Sequence, residues 1–112
     1  MRLGLFDSGV GGFTVLKSVA DLYPSSTFIY LADTARLPYG SKQNNEIIEI
    51  ANEISLWFSQ QNIDVFLVAC NTTNAIALEV IKNKLDVPVS SNLLFPHNAI
   101  SDLVVSIFFK YL

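Results

Sequence analysis

Cys70 is the single cysteine of the 112-residue chain, and it stands where an apolar run, Asp64 to Cys70 (DVFLVAC), gives way to Asn71, Thr72 and Thr73. A thiol at the mouth of a helix meets unpaired first-turn N–H groups, a setting that usually favours the thiolate. A free cysteine is more often an inert, small apolar side chain, so its company matters. Asp7-Ser8-Gly9-Val10-Gly11-Gly12 combines a carboxylate, a hydroxyl and three glycines ahead of a helical run. Such a loop can aim several backbone N–H groups and a helix N-terminus at one anion, a phosphate or a carboxylate. A dinucleotide fingerprint would need glycine at position 14, which is Thr14, and no Gly-Lys-Ser/Thr follows to complete a Walker loop. A tight strand-to-helix turn with no ligand accounts for the same glycines. Asn71-Thr72-Thr73 also fits a glycosylation acceptor, but an asparagine flush against a buried strand in a cytoplasmic chain is a poor one.

The elements that would position these groups follow from hydrophobic periodicity. Arg2 to Phe6 is a short apolar run, after which Phe13, Leu16, Lys17 and Ala20 fall at helical spacing up to Pro24. Thr27 to Ala32 (TFIYLA) is aromatic and branched, as a strand requires, and a long loop through Pro38, Tyr39 and Gly40 follows it. Between Gln43 and Gln60, Ile47, Ile50, Ala51, Ile54, Trp57 and Phe58 mark one face of a helix and Glu46, Glu49, Asn52 and Glu53 the other. Asp64 to Cys70 has the continuous apolar character of a parallel strand covered on both faces. Asn71 to Thr73 offer N-cap chemistry for a helix to Lys84, and Val87 to Val89 is the expected fourth strand. Strands alternating with helices predict an α/β fold, a parallel sheet with flanking helices joined by right-handed crossovers. Ligands of such sheets gather at the carboxyl ends of the strands, which here carry Asp7-Ser8, Asp33-Thr34 and Cys70-Asn71-Thr72.

Composition removes several function classes. With 51% hydrophobic residues and only 15% charged, the chain is not disordered, and its length predicts one domain with one core. Seven basic against ten acidic residues, a net charge of −3 and no Lys/Arg cluster argue against nucleic acid as a partner. The longest apolar run, Leu103 to Phe109, is far below the roughly 20 residues that span a bilayer. One cysteine excludes an internal disulfide and a multi-cysteine zinc site, and the start carries no signal peptide pattern, so the cytoplasm is the expected compartment.

Three segments together carry a family likeness. FDSGVGGFTVL (Phe6 to Leu16), YLADTARLPYGSK (Tyr30 to Lys42) and VACNTTNAIAL (Val68 to Leu78) resemble, in order and at similar spacing, the N-terminal signatures of the cofactor-independent glutamate racemases, within the aspartate/glutamate racemase family. The resemblance covers Met1 to about Val89. It implies the first domain of that fold, truncated, with residues 1–89 forming an incomplete racemase N-terminal domain and 90–112 a divergent tail. It implies interconversion of L- and D-glutamate, supplying D-glutamate for peptidoglycan, with no cofactor and no metal. Residue by residue, Cys70 matches the first catalytic cysteine, which exchanges the α-proton on the D-glutamate side, and Asp7 and Ser8 match residues beside that thiol and the substrate amino group. Pro38, Tyr39 and Gly40 match a loop that contacts the amino acid, and Asn71 and Thr72 match its carboxylate and ammonium contacts. The residue types suit the reaction, because an α-proton is a very weak acid that needs a placed base, and donors to stabilise charge building on the carboxylate.

The likeness has one chemical gap. Inversion needs a base on each face of the planar carbanion, and the family's second thiol, followed by Thr-His, lies in a second domain. The only histidine here, His97, has Pro96 and Asn98 as neighbours and is expected to be a surface loop residue. The chain is therefore expected to be a truncated or frame-shifted racemase, impaired or inactive alone. A non-catalytic module that binds an amino acid or dicarboxylate and an aspartate racemase relative are the alternatives, since one methylene separates the two substrates. The apolar run Leu103 to Phe109 would be an aggregation-prone strand or a crutch for the sheet, or would recruit a second copy into a homo-oligomer.

Overall fold

The structure, a computed structural model, describes residues 1–9 and 11–91. Within these, four strands and three helices alternate: β1 (Arg2–Asp7), α1 (Phe13–Leu22), β2 (Thr27–Ala32), α2 (Asn44–Ser59), β3 (Val65–Val68), α3 (Asn71–Lys84) and β4 (Val89–Ser91). All pairings are parallel and the order is β2-β1-β3-β4. This is the expected fold class, and it places the ends of β1 and β3 side by side. The loop between β2 and α2 contains two single 3-10 turns, Thr34–Arg36 and Tyr39–Ser41. The expected domain boundary after residue 89, His97 and the tail lie at or beyond the edge of the described residues.

Period-two alternation along the central strands sorts side chains to two faces. Leu3, Leu5, Val65 and Leu67 pack with Val19 of α1, while Phe6, Phe66 and Val68 pack with Ile47, Ile50, Ile54 and Phe58 of α2 and with Ala77, Leu78 and Ile81 of α3. The single core expected from chain length is thus corrected: a sheet covered on both sides divides the apolar interior into two clusters. The larger one is anchored by Phe58 and Phe66, whose ring centroids lie 4.4 Å apart. Burying each such ring contributes roughly 1.5–3 kcal/mol. Gly4 in β1 makes room for them, because a Cβ there would sit 2.9 Å from both rings.

Helix α2 buries the stripe its sequence predicts and begins with Glu46 in its first turn, where a carboxylate complements the helix dipole. After Ser59 the chain turns through Asn62, at φ 55°, a left-handed conformation that asparagine tolerates. The fourth strand is Val89–Ser91 rather than Val87–Val89. Pro88 has no N–H to give a ladder and only accepts, from Phe66 N at 2.9 Å, so pairing with β3 begins at Val89 and carries Ser90 and Ser91 into the interior. Among the described residues no helix is long and apolar enough to cross a membrane.

Candidate functional site

Strand β1 delivers Asp7 to the carboxyl edge of the sheet, and β3 delivers Cys70 to the same edge one strand away. Between them lies an open cleft of about 440 Å³, lined by Asp7, Ser8, Gly9 and Gly11 from one loop and by Ala69, Cys70, Asn71 and Thr72 from the other, with Val15 of α1 as an apolar wall. Five residues singled out in the sequence, Asp7, Ser8, Cys70, Asn71 and Thr72, therefore meet around one space.

The Asp7 side chain is 7% exposed and shapes its own loop. Its Oδ1 accepts from Ser8 N at 2.8 Å and its Oδ2 from Gly12 N at 2.7 Å, which ties Ser8 and Gly12 to the end of β1. Each carboxylate oxygen keeps a further lone pair for a ligand. Gly12 is required by closeness, because a Cβ there would sit 2.8 Å from Asp7 Cβ and 2.9 Å from the Tyr30 hydroxyl. That hydroxyl donates to the Gly9 carbonyl at 3.1 Å, and the Tyr30 ring stacks on Phe13 at 4.8 Å. Burial first, and then the neighbouring Asp7 charge, push the Tyr30 phenol up, so it stays a neutral donor that fixes the loop.

Cys70 is 3% exposed and is itself the N-cap of α3, its Sγ accepting from Thr73 N at 3.5 Å. This corrects the expectation that Asn71 to Thr73 cap the helix: those three are already helical, and the cap falls on the residue with extended backbone before them. The N–H groups of Asn71 and Thr72, in the first turn, have no carbonyl four residues back within the helix and stand at the cleft wall. Asn74 holds the strand-to-helix junction from below, its Nδ2 donating to Val68 O at 2.9 Å.

Pro38, Tyr39 and Gly40 do not line the cleft. Tyr39 is 2% exposed, packed in the larger core cluster with Phe6 and Cys70, and its hydroxyl donates to Asp33 Oδ2. The aromatic ring is held in the core, where its polar tip finds a carboxylate. Burial and the Asp33 hydrogen bond push this phenol far above the usual tyrosine range. Asp33 Oδ2 also accepts from Arg36 Nε at 2.6 Å, and Arg36 Nη1 donates to Glu53 Oε2 of α2 at 2.6 Å. Arg36 lies within the YLADTARLPYGSK segment and Glu53 on the polar face of α2, and the i,i+3 spacing of Asp33 and Arg36 is the signal in the sequence for their pairing. Among the described residues no group of three or more His, Cys, Asp or Glu could hold a metal ion.

No family model matches the chain. Sequence similarity is nonetheless extensive: the chain is 76% identical over 89 residues to the glutamate racemase of Prochlorococcus marinus strain NATL1A, covering 80% of this chain and 34% of that relative. Among solved structures, it superposes on the glutamate racemase from Aquifex pyrophilus with a TM-score of 0.78 at 44% identity, covering 81% of this chain and 36% of the other. The glutamate racemase from Francisella tularensis in complex with D-glutamate gives a TM-score of 0.78 at 34% identity, over 80% of this chain and 34% of that one. The chain thus spans about a third of the length of the relatives it matches.

Proposed function

We propose, from the chain's membership of the glutamate racemase family over four-fifths of its length, that its cleft is one half of a cofactor-free site for α-proton exchange on glutamate. The observation that carries this is the convergence of the Asp7-Ser8 loop and Cys70-Asn71-Thr72 on one cleft at the ends of adjacent strands. Cys70, as thiolate, takes the α-proton; the electron pair left on Cα spreads into the carboxylate, where first-turn N–H groups of α3 stabilise the added charge. Asp7, Ser8, Asn71 and Thr72 orient the ammonium and carboxylate groups. The Tyr39 ring supports the site from the core cluster it shares with Cys70, and Pro38 and Gly40 flank it as exposed loop residues. In the whole protein this chemistry supplies D-glutamate for peptidoglycan in the cytoplasm, and the complex of the Francisella tularensis glutamate racemase with D-glutamate supports a small amino acid as the ligand.

A single fixed base returns the proton to the face it left, and this chain has one cysteine. The expected result in deuterated water, followed by proton NMR, is loss of the α-proton signal of D-glutamate without inversion and retention of that of L-glutamate. A folded chain that exchanges neither enantiomer refutes the half-site. If it still binds either one, the non-catalytic binding module takes its place, a reading favoured by the lone thiol.

A further inference from the structure

The two faces of the sheet are covered unequally. Helices α2 and α3 pack on the side of Phe6, Phe66 and Val68, where α3 lies on β3 and β4. On the other side the described residues supply one helix, α1, which links β1 to β2 and so lies over that half of the sheet. A helix over those two strands stands about 12 Å from β4, whereas its side chains reach about 5–6 Å from its axis. Ser90 pairs in register with Leu67 and therefore faces the α1 side, beyond that reach. It is nevertheless only 8% exposed, and Val65 and Leu67 of the neighbouring strand are 3% and 7% exposed. This half-face is closed to water with no described helix above β4.

The residues that follow β4 carry a surface that fits it. Ile100, Leu103, Val104, Ile107 and Phe108 recur at steps of three and four, the spacing that a helix turns into one apolar stripe. Asp102 and Ser106 fall on the far side of that helix, as do Val105 and Phe109. From Ile100 to Phe108 it would run about 14 Å, a match to the roughly 10–13 Å of β4 and β3. Residues 92–99 reach up to about 26 Å when extended, enough to carry the chain from Ser91 across the end of the sheet and onto the face. We propose that residues 100–108 dock as a helix of this same chain on the α1 side of β3 and β4, setting Leu103, Val104, Ile107 and Phe108 against Val65, Leu67 and Ser90. The docking does not depend on the chemistry assigned to the cleft.

A nitroxide attached through Ser106→Cys, in a Cys70→Ser background that removes the native thiol, reads the place of this segment in the full chain by methyl NMR. The methyl signals of Val65 and Leu67 are expected to lose most of their intensity, and those of Ile47 and Ile50, on the opposite face, to keep theirs. Losses that are equal on the two faces, or absent, overturn the proposal. A mixture of isotope-labelled chain without nitroxide and nitroxide-labelled chain without isotopes identifies the occupant: unchanged signals support docking within one chain, and broadening means that a second copy covers the face and overturns it. Independently, Ile107→Asp is expected to lower Tm by roughly 10 °C or more, and Ser106→Asp to leave it within about 2 °C of the parent. Equal Tm values for the two variants overturn the proposal. If circular dichroism shows Ile107→Asp unfolded, Ile107→Ala is read in its place, with a smaller fall against the same Ser106→Asp reference.

Discussion

Gly12→Ala sets two well-defined effects against each other. Gly12 has φ −66° and ψ −13°, an ordinary helical conformation, so alanine there would reduce the entropy of the unfolded chain and stabilise by about 0.4–1 kcal/mol if space allowed. Space does not allow it: the new methyl would lie 2.8 Å from Asp7 Cβ and 2.9 Å from the Tyr30 hydroxyl oxygen. Relief requires moving a strand-end carboxylate or a stacked ring, an overpacking cost of about 1–3 kcal/mol. The 2.7 Å hydrogen bond from Gly12 N to the buried Asp7 carboxylate would strain with it, and such charged bonds are worth about 1.5–3 kcal/mol. Sterics win, with a net loss of about 2–4 kcal/mol and a fall in Tm of roughly 10–20 °C for a domain of this size. Thermal unfolding followed by circular dichroism measures it, with Gly40→Ala as the internal comparison, since a Cβ at Gly40 meets nothing within 4 Å and should leave Tm level or slightly higher. A Gly12→Ala protein as stable as the Gly40→Ala protein would show that the Asp7 loop is not packed as described, and with it the cleft wall would lose its basis.

Gly4→Ala should lower stability by about 1–3 kcal/mol in urea unfolding, because its methyl would meet the Phe58 and Phe66 rings at 2.9 Å inside the larger cluster. Cys70→Ser keeps an N-cap acceptor and is expected to hold unfolding stability within about 0.5 kcal/mol of wild type while abolishing α-proton exchange; Cys70→Ala loses the cap as well and should cost about 1 kcal/mol. Tyr39 has a folded-state pKa raised above its unfolded value of 10.0, so the folded chain binds more protons than the unfolded one in alkaline solution. Stability is therefore fully present below pH 10 and falls as pH climbs above it. Urea midpoints at pH 8 and pH 10.5 should separate less in Tyr39→Phe than in wild type.

Elements with a strong period were legible in the residues themselves. The stripe of Ile47, Ile50, Ile54 and Phe58 announces α2 within a residue of each observed end, because helix geometry turns spacing directly into a buried face. Asp7, Ser8, Cys70, Asn71 and Thr72 could be gathered from sequence because a parallel sheet brings successive strand ends to one edge. The place of the Tyr39 ring in the larger core cluster was not legible because its loop has no period, and only packing decides which way an aromatic ring in such a loop turns.

What the sequence by itself determined was the alternation of strands and helices, the edge of the sheet where Asp7 and Cys70 meet, and the presence of a single thiol; each depends on local spacing or on counting. Tertiary structure alone decided the division of the core by the sheet, the start of β4 at Val89, the capping of α3 by Cys70, and the line from Glu53 through Arg36 and Asp33 to Tyr39. Those outcomes depend on which backbone partner or charge lies opposite a residue in space, and contacts between residues as far apart as Arg36 and Glu53 arise only once the sheet and α2 have come together.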